Sequence, residues 1–191
     1  PQLSKLKRMK PFLKINDHLS LHLARLELAD GIFAVVDAQR AYLRQWLPWV
    51  DNTKTVEDTR QFLRESMEHN SRGTRLTTFL LHENEVAGSL GVVQFFKDFK
   101  KCEMGYWLRE DLQGKGFMSQ ACACLIDQLF KTKDLNRIEI FAATGNLRSQ
   151  GVTKRLGFQK EGVLRQGFII RGEFHDLALF SLLRDDWNKK F

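Results

Sequence analysis

The spacing of apolar residues changes along this chain, and each change predicts an element. Residues 19–26 alternate apolar positions with His22 and polar neighbours, the two-residue period of a half-buried strand. From Asp30 the period becomes helical, through Phe33, Val36, Ala41 and Leu43. Pro48, inside Trp46-Leu47-Pro48-Trp49-Val50, breaks that run, because proline lacks the amide donor and its ring clashes with the preceding turn. Thr55-Val56-Glu57-Asp58 then sets a hydroxyl three residues before a carboxylate, which predicts a helix start leading to about Asn70. The aromatic connection at 46–50 has two readings, a substrate rim or a hydrophobic lid packed on the helices.

Three strand-like runs follow at 75–81, 86–96 and 101–108, with turns at Glu83-Asn84 and Asp98-Phe99-Lys100, and predict an antiparallel meander. The period then returns to helical. Phe117, Ala121, Leu125 and Leu129 form one ridge, and Met118, Cys122, Ile126 and Phe130 the ridge beside it, so this helix buries a broad face. Residues 137–143 read as a compact strand and 146–156 as a helix stopped by Gly157. Residues 158–170 and 175–183 read as a last strand pair around Gly172. This order of elements predicts one mixed α/β sheet with helices on its faces.

Length and composition then narrow the picture. With 191 residues and 43% hydrophobic content the chain suits a single core. It has no run near the roughly 20 apolar residues that span a bilayer, and its start lacks the apolar core of a secretory signal, so a soluble cytoplasmic protein is expected. Cys102, Cys122 and Cys124 are an odd, sparse set that reads as reduced thiols. No His or Cys pairs stand at zinc-site spacing, so no metal is expected. The net charge of +7 is concentrated at Lys5, Lys7, Arg8, Lys10 and Lys14. We therefore divide the chain into a basic arm, 1–14, and one domain, 15–191. The arm reads as a solvated leader or as a contact for nucleic acid, and an acidic protein substrate or a phosphate-rich cofactor explains the charge equally well.

Chemistry is densest at 108–119. There a strand ends, a glycine-rich turn follows and a long helix begins, leaving several backbone N–H groups without partners inside the helix. Gly114 and Gly116 let the backbone approach a ligand, and the helix dipole adds about half a positive charge at that end. Lys115 contributes a full charge and Ser119 a hydroxyl, which suits a pyrophosphate. The turn is too short for a Walker-type loop and lacks the third glycine of a dinucleotide fingerprint.

Gln113-Gly114-Lys115-Gly116-Phe117-Met118 resembles the Gln/Arg-x-x-Gly-x-Gly/Ala acetyl-CoA signature of the GNAT superfamily, with Met118 in place of the usual small residue. Glu103-Met104-Gly105-Tyr106-Trp107-Leu108 resembles the preceding strand of its ribosomal-protein N-acetyltransferases, the RimJ/RimL type. Asn146-Leu147-Arg148-Ser149, Leu156-Gly157-Phe158, Glu161-Gly162, His175-Asp176 and Phe180-Ser181-Leu182-Leu183 are similar to later blocks of the same group, in the same order.

The resemblance implies a single GNAT-like α/β (α+β) domain with a mixed, largely antiparallel sheet of about six to seven strands and helices on both faces. It implies an N-acetyltransferase using acetyl-CoA, without a metal, by direct attack in a ternary complex. The pyrophosphate is then expected on the amides of Gln113, Gly114, Lys115, Gly116, Phe117, Met118 and Ser119, and the pantetheine along Trp107 and Leu108. Asn146 is expected to hold the pantetheine, cap the following helix, or both. Ser149 matches a residue that assists the leaving thiolate, whereas many members use a tyrosine where this chain has Thr153.

Glu103 is the candidate base, with a purely structural strand role as the alternative. His175 and Asp176 read as acceptor-side or structural residues, and Lys154 and Arg155 as contacts to the CoA 3′-phosphate or as solvated charges. An N-terminal acceptor asks little of a base: an α-amine of pKa about 8 is about a tenth neutral at pH 7, a lysine below about one part in a thousand. The expected acceptor is a protein N-terminal amine of the ribosomal-protein type, with association with the ribosome, as monomer or homodimer. The alternatives are a small amine such as a polyamine or aminoglycoside, or a CoA-binding or RNA-associated module without turnover.

Overall fold

The computed structural model describes residues 9–190. Lys5, Lys7 and Arg8 of the basic arm lie outside the described residues. The strands are β1 (Leu13–Lys14), β2 (Leu19–Leu23), β3 (Leu76–His82), β4 (Glu85–Phe96), β5 (Lys101–Leu108), β6 (Arg137–Ala143), β7 (Gln159–Ile170) and β8 (Glu173–Leu183). The helices are α1 (Ala29–Ala38), α2 (Arg40–Leu43), α3 (Val56–Arg72), α4 (Phe117–Thr132), α5 (Leu147–Leu156) and α6 (Arg184–Lys190). Among the described residues the sheet therefore has eight strands, in the order β1-β2-β3-β4-β5-β6-β8-β7, where about six to seven were expected. The addition is β1, whose two residues pair with Leu21 and Ser20 and are too few to show a period.

Sequence pattern accounts for most of the boundaries. Thr55 and Asp58 form the anticipated capping box of α3, with Asp58 N–H donating to Thr55 Oγ1 at 3.3 Å and Thr55 N–H to Asp58 Oδ2 at 2.8 Å. The helical run from Asp30 is two helices, because Gln39, at φ −115° and ψ 21°, leaves helical geometry between α1 and α2. One face of the sheet packs Leu80, Leu90, Met104, Ile138 and Phe180 against Leu125 and Ile126 of α4. The other packs Phe79, Leu81 and Val86 against Ile32 and Val36 of α1 and Leu63 of α3. Cys102 and Cys122 are buried in the first layer as free thiols, and burial pushes Cys102 up to about 12 and Cys122 higher still. Among the described residues no helix is long and apolar enough to cross a membrane.

The functional geometry follows from a single irregularity. All neighbouring strands are antiparallel except β5 and β6, which run parallel and pair only from Lys101↔Arg137 to Met104↔Ile140. Beyond Met104 the two strands diverge. β5 keeps β4 on its far side as far as Leu108, and β6 keeps β8 as far as Ala143. A wedge therefore opens in mid-sheet, bounded by the unladdered backbone edges of 105–108 and 141–143, where amide and carbonyl groups need partners.

Candidate active site

A cleft of about 610 Å³ opens at this wedge, within the usual size of small-molecule sites. Its walls come from Tyr106, Trp107 and Leu108 at the end of β5, the turn into α4, and the start of α5. A third wall is formed by Tyr42, Leu43, Trp46 and Leu47, from α2 and the connection that follows it.

The turn adopts the geometry its glycines allow. Gly114 and Gly116 have φ of +75° and +77°, a left-handed region costly for any residue with a Cβ. Gly116 is the N-cap of α4 and supplies no side-chain cap, whereas Thr55 caps α3 and Asn146 caps α5. The first amides of α4, at Phe117, Met118 and Ser119, thus lack the side-chain acceptor that the other two helices carry. With the dipole behind them, they form a receptor for an anion. Met118 itself points into the core at 4% exposure, which explains why a large residue fits at this position. Phe117 stacks on His82 with ring centroids 4.8 Å apart.

Side chains tie this turn to both walls. Gln113 Nε2 donates to the Tyr42 hydroxyl, and Arg148 Nη1 donates to Gln113 Oε1 at 2.6 Å, so one glutamine links α2 to α5 across the cleft. Arg155 Nε donates to Ser119 Oγ at 3.0 Å, which brings a second cation to the α4 start. Gln39 accepts from Glu110 N–H at 2.8 Å and donates to Asp111 at 3.0 Å, anchoring the segment before the turn. The paired Arg109 guanidinium holds the Asp111 carboxyl down to about 2.

Of the expected residues, Trp107, Leu108, Gln113, Gly114, Gly116, Phe117, Met118, Ser119, Asn146 and Ser149 all line the cleft. Lys115 does not; its side chain is exposed beyond the turn. Arg155 lines the cleft, whereas Lys154 is exposed outside it. Asn146 Oδ1 accepts from Ser149 N–H at 3.1 Å, so its capping role is realised. Ser149 Oγ–H donates to the Tyr106 hydroxyl at 3.2 Å. Thr153 is fully buried and donates to the Gln150 carbonyl at 2.8 Å, which turns it away from the cleft into its own helix.

Glu103 is not part of the cleft lining. It lies on β5 opposite Glu139 of β6 and is half-buried. Burial raises its carboxyl above the usual range, the Glu139 charge adds to this, and Lys101 opposes it. Asp176 is structural in its contacts: Oδ1 accepts from Gln166 N–H at 2.7 Å and its carbonyl from Thr144 N–H at 2.9 Å. His175 pairs in register with Phe168 on the last hairpin, away from the cleft. The aromatic connection divides its two readings by residue. Trp46 lines the cleft and rests on Gly145, where a Cβ would lie 3.3 Å from the indole, while Trp49 packs on Trp107 at 6.2 Å.

Sequence reasoning left Tyr42, Tyr106 and Arg148 without roles. Tyr42 and Trp46 stand four residues apart, a spacing that marks one helix face. Alternation along β5 separates Tyr106, packed with the α4 layer, from Trp107, packed with the α1 and α3 layer. Among the described residues no group of three or more His, Cys, Asp or Glu is placed to hold a metal ion.

A sheet splayed at one parallel pair, with an uncapped glycine-started helix facing the gap, offers a cleft suited to a phosphate-bearing ligand. Residues 18–159 match the acetyltransferase (GNAT) domain family, and the chain belongs to that family. It is an acetyl-CoA-dependent N-acetyltransferase. It is similar to the putative ribosomal N-acetyltransferase YdaF of Bacillus subtilis, at 30% identity over 91% of this chain and 96% of that protein. It is also similar to the ribosomal-protein-serine acetyltransferase of Escherichia coli, at 28% identity over 93% and 99% respectively. The structure of RimL, a ribosomal L7/L12 α-N-protein acetyltransferase in complex with coenzyme A, superposes with a TM-score of 0.87, at 27% identity over 91% of this chain and 98% of that one.

Proposed function

We propose that this enzyme acetylates the N-terminal α-amine of a protein, by direct attack on acetyl-CoA in a ternary complex. The observation that carries the choice of acceptor is the likeness, over more than nine-tenths of this chain, to proteins named as ribosomal N-acetyltransferases. The names of YdaF and of the E. coli serine acetyltransferase support a ribosomal protein as the substrate class.

In this reading the amides from Gln113 to Ser119, with Arg155 beside them, hold the pyrophosphate. The free edge of β5 at Trp107 and Leu108 pairs with the pantetheine, Asn146 contributes a further polar contact, and a backbone amide of that edge receives the developing oxyanion. The neutral amine attacks the thioester carbonyl, the C–N bond forms, and the C–S bond breaks with its electron pair on sulfur. Ser149 donates a hydrogen bond to that thiolate. Glu103, off the cleft but on the same strand, takes the amine proton through water, a modest task because an α-amine is already partly neutral at pH 7.

The test is a panel of acceptors offered with acetyl-CoA to the purified enzyme, with free thiol and acceptor mass as readouts. Peptides with free N-termini, the same peptides blocked at the α-amine but carrying an internal lysine, spermidine and an aminoglycoside make up the panel. Acetylation of the free N-termini alone is the expected result. Preference for spermidine or the aminoglycoside overturns the proposal.

A further inference from the structure

Tyr106 lies in the cleft wall with its ring against the α4 layer. Its hydroxyl is engaged twice by one residue 43 positions away: Tyr106 O–H donates to the Ser149 carbonyl at 2.9 Å, and Ser149 Oγ–H donates to the Tyr106 oxygen at 3.2 Å. With its own proton on the carbonyl, the tyrosine oxygen is an acceptor for the serine. In the resting enzyme the Ser149 proton therefore faces Tyr106. The hydroxyl of Thr153, one turn further along α5, is already spent on the Gln150 carbonyl. Among the described residues, Tyr106 is the partner recorded for the Ser149 hydroxyl.

Building on the reading that Ser149 serves the departing thiolate, we infer that Tyr106 is a positioning residue that orients and polarises Ser149 for that step. As charge develops on sulfur, Ser149 O–H turns from Tyr106 to the thiolate, and Tyr106 O–H turns from the Ser149 carbonyl to Ser149 Oγ. The resulting chain, Tyr106 O–H to Ser149 O–H to sulfur, makes serine a stronger donor, because each hydrogen bond polarises the next. No proton leaves either hydroxyl. The proton lost by the amine goes through water to Glu103, as in the proposed function, and the sulfur takes one from solvent after release. Burial supports this arrangement: it pushes the Tyr106 phenol pKa up, with Cys122 adding and the Ser149 hydrogen bond and Arg155 opposing, so the tyrosine stays protonated.

The closing experiment compares binding of coenzyme A with binding of desulfo-coenzyme A, which lacks the thiol. Calorimetry is run at pH about 6 and about 9.5, either side of an ordinary thiol pKa of about 8.5. The wild-type preference for coenzyme A should grow at the higher pH, where the thiolate forms. Tyr106→Phe, which keeps the ring and is checked for folding by circular dichroism and melting, should lose about tenfold of that preference and lower kcat about tenfold, the scale of one charge-assisted hydrogen bond. Its desulfo-coenzyme A affinity should stay within about twofold. In a Ser149→Ala background, Tyr106→Phe should add nothing further. Equal weakening of both ligands in Tyr106→Phe means a structural role and overturns the inference. A preference lost in Ser149→Ala but kept in Tyr106→Phe removes Tyr106 alone, and one kept in Ser149→Ala removes the thiolate role of Ser149 and the inference with it.

Discussion

Gly116→Val strikes the anion receptor at the residue that shapes it. A Cβ at 116 meets nothing closer than Gln120 Nε2 at 3.8 Å, so the added bulk has room. The cost comes from φ of +77°, which charges a residue with a Cβ about 1–3 kcal/mol and a β-branched one at the upper end. Against a stability of about 5–15 kcal/mol the fold survives. The turn relieves its strain by leaving the left-handed region, which swings the amides at the α4 start out of convergence. Each amide-to-phosphate hydrogen bond contributes about 1.5–3 kcal/mol, so losing two weakens coenzyme A by a factor of about 10² to 10⁴. The assay is calorimetric titration with coenzyme A beside a melting curve. A graded series sharpens it: Gly116→Asn should bind best of the substituted forms, since Asn tolerates left-handed φ, followed by Ala and then Val. Unchanged affinity in Gly116→Val, with a normal melt, would refute the assignment of phosphate binding to this turn.

Further predictions probe other links. Glu103→Gln should flatten the acidic limb of the pH profile of kcat/KM, a limb placed above the ordinary carboxylate range by the raised pKa; a wild-type profile makes Glu103 structural. The same substitution has a stability signature. Because the folded pKa is raised, the ionised form costs stability at neutral pH, so Glu103→Gln should melt higher than wild type at pH 7, with the gain vanishing as pH falls towards 4.5; a pH-independent difference contradicts the desolvation argument. Gln113→Ala cuts the link from Tyr42 to Arg148 and should raise the Kd for coenzyme A about fivefold to tenfold with little change in melting; unaltered binding would show the link to be passive. Ile126→Ala removes a fully buried α4 side chain and should cost about 2–5 kcal/mol by denaturant titration while leaving kcat near wild type; a loss below about 1 kcal/mol would mean the layer repacks.

The legible parts of this protein are those encoded by near neighbours in sequence. The period switch at α4, the capping box at Thr55 and the turn from Gln113 to Met118 each depend on a few adjacent residues. The bounds of β5 and β6 match their apolar runs to the residue. What escaped depends on tertiary pairing. The wedge exists because β5 and β6 stop pairing at Met104 and Ile140, residues whose own pattern continues unbroken past that point. Tyr42 and Trp46 reach the cleft from α2 and its following connection, about 70 residues before the turn they meet, and Gln113 and Tyr42 are separated by 71 positions. Lys115 shows a different limit: it stands between Gly114 and Gly116, which line the cleft, yet is itself exposed outside the lining, a placement set by the turn and not by residue type.

Two helix N-termini face this cleft, and their chemistry divides between them. The start of α4 carries no side-chain cap, so its amides and dipole are available to a phosphate. The start of α5 is closed by Asn146, whose Oδ1 takes up the Ser149 amide, so it offers the cleft a side chain instead. That cap also fixes the first turn of α5, and with it Ser149 Oγ, from below, while Tyr106 holds the same residue by its carbonyl and hydroxyl from across the cleft. In the proposed reading one helix start binds the carrier by backbone, and the other positions a hydroxyl on the cleft wall. Exchanging a residue at either start should therefore separate the two effects: substitutions at Gly116 should act on coenzyme A affinity, and substitutions at Ser149 on kcat.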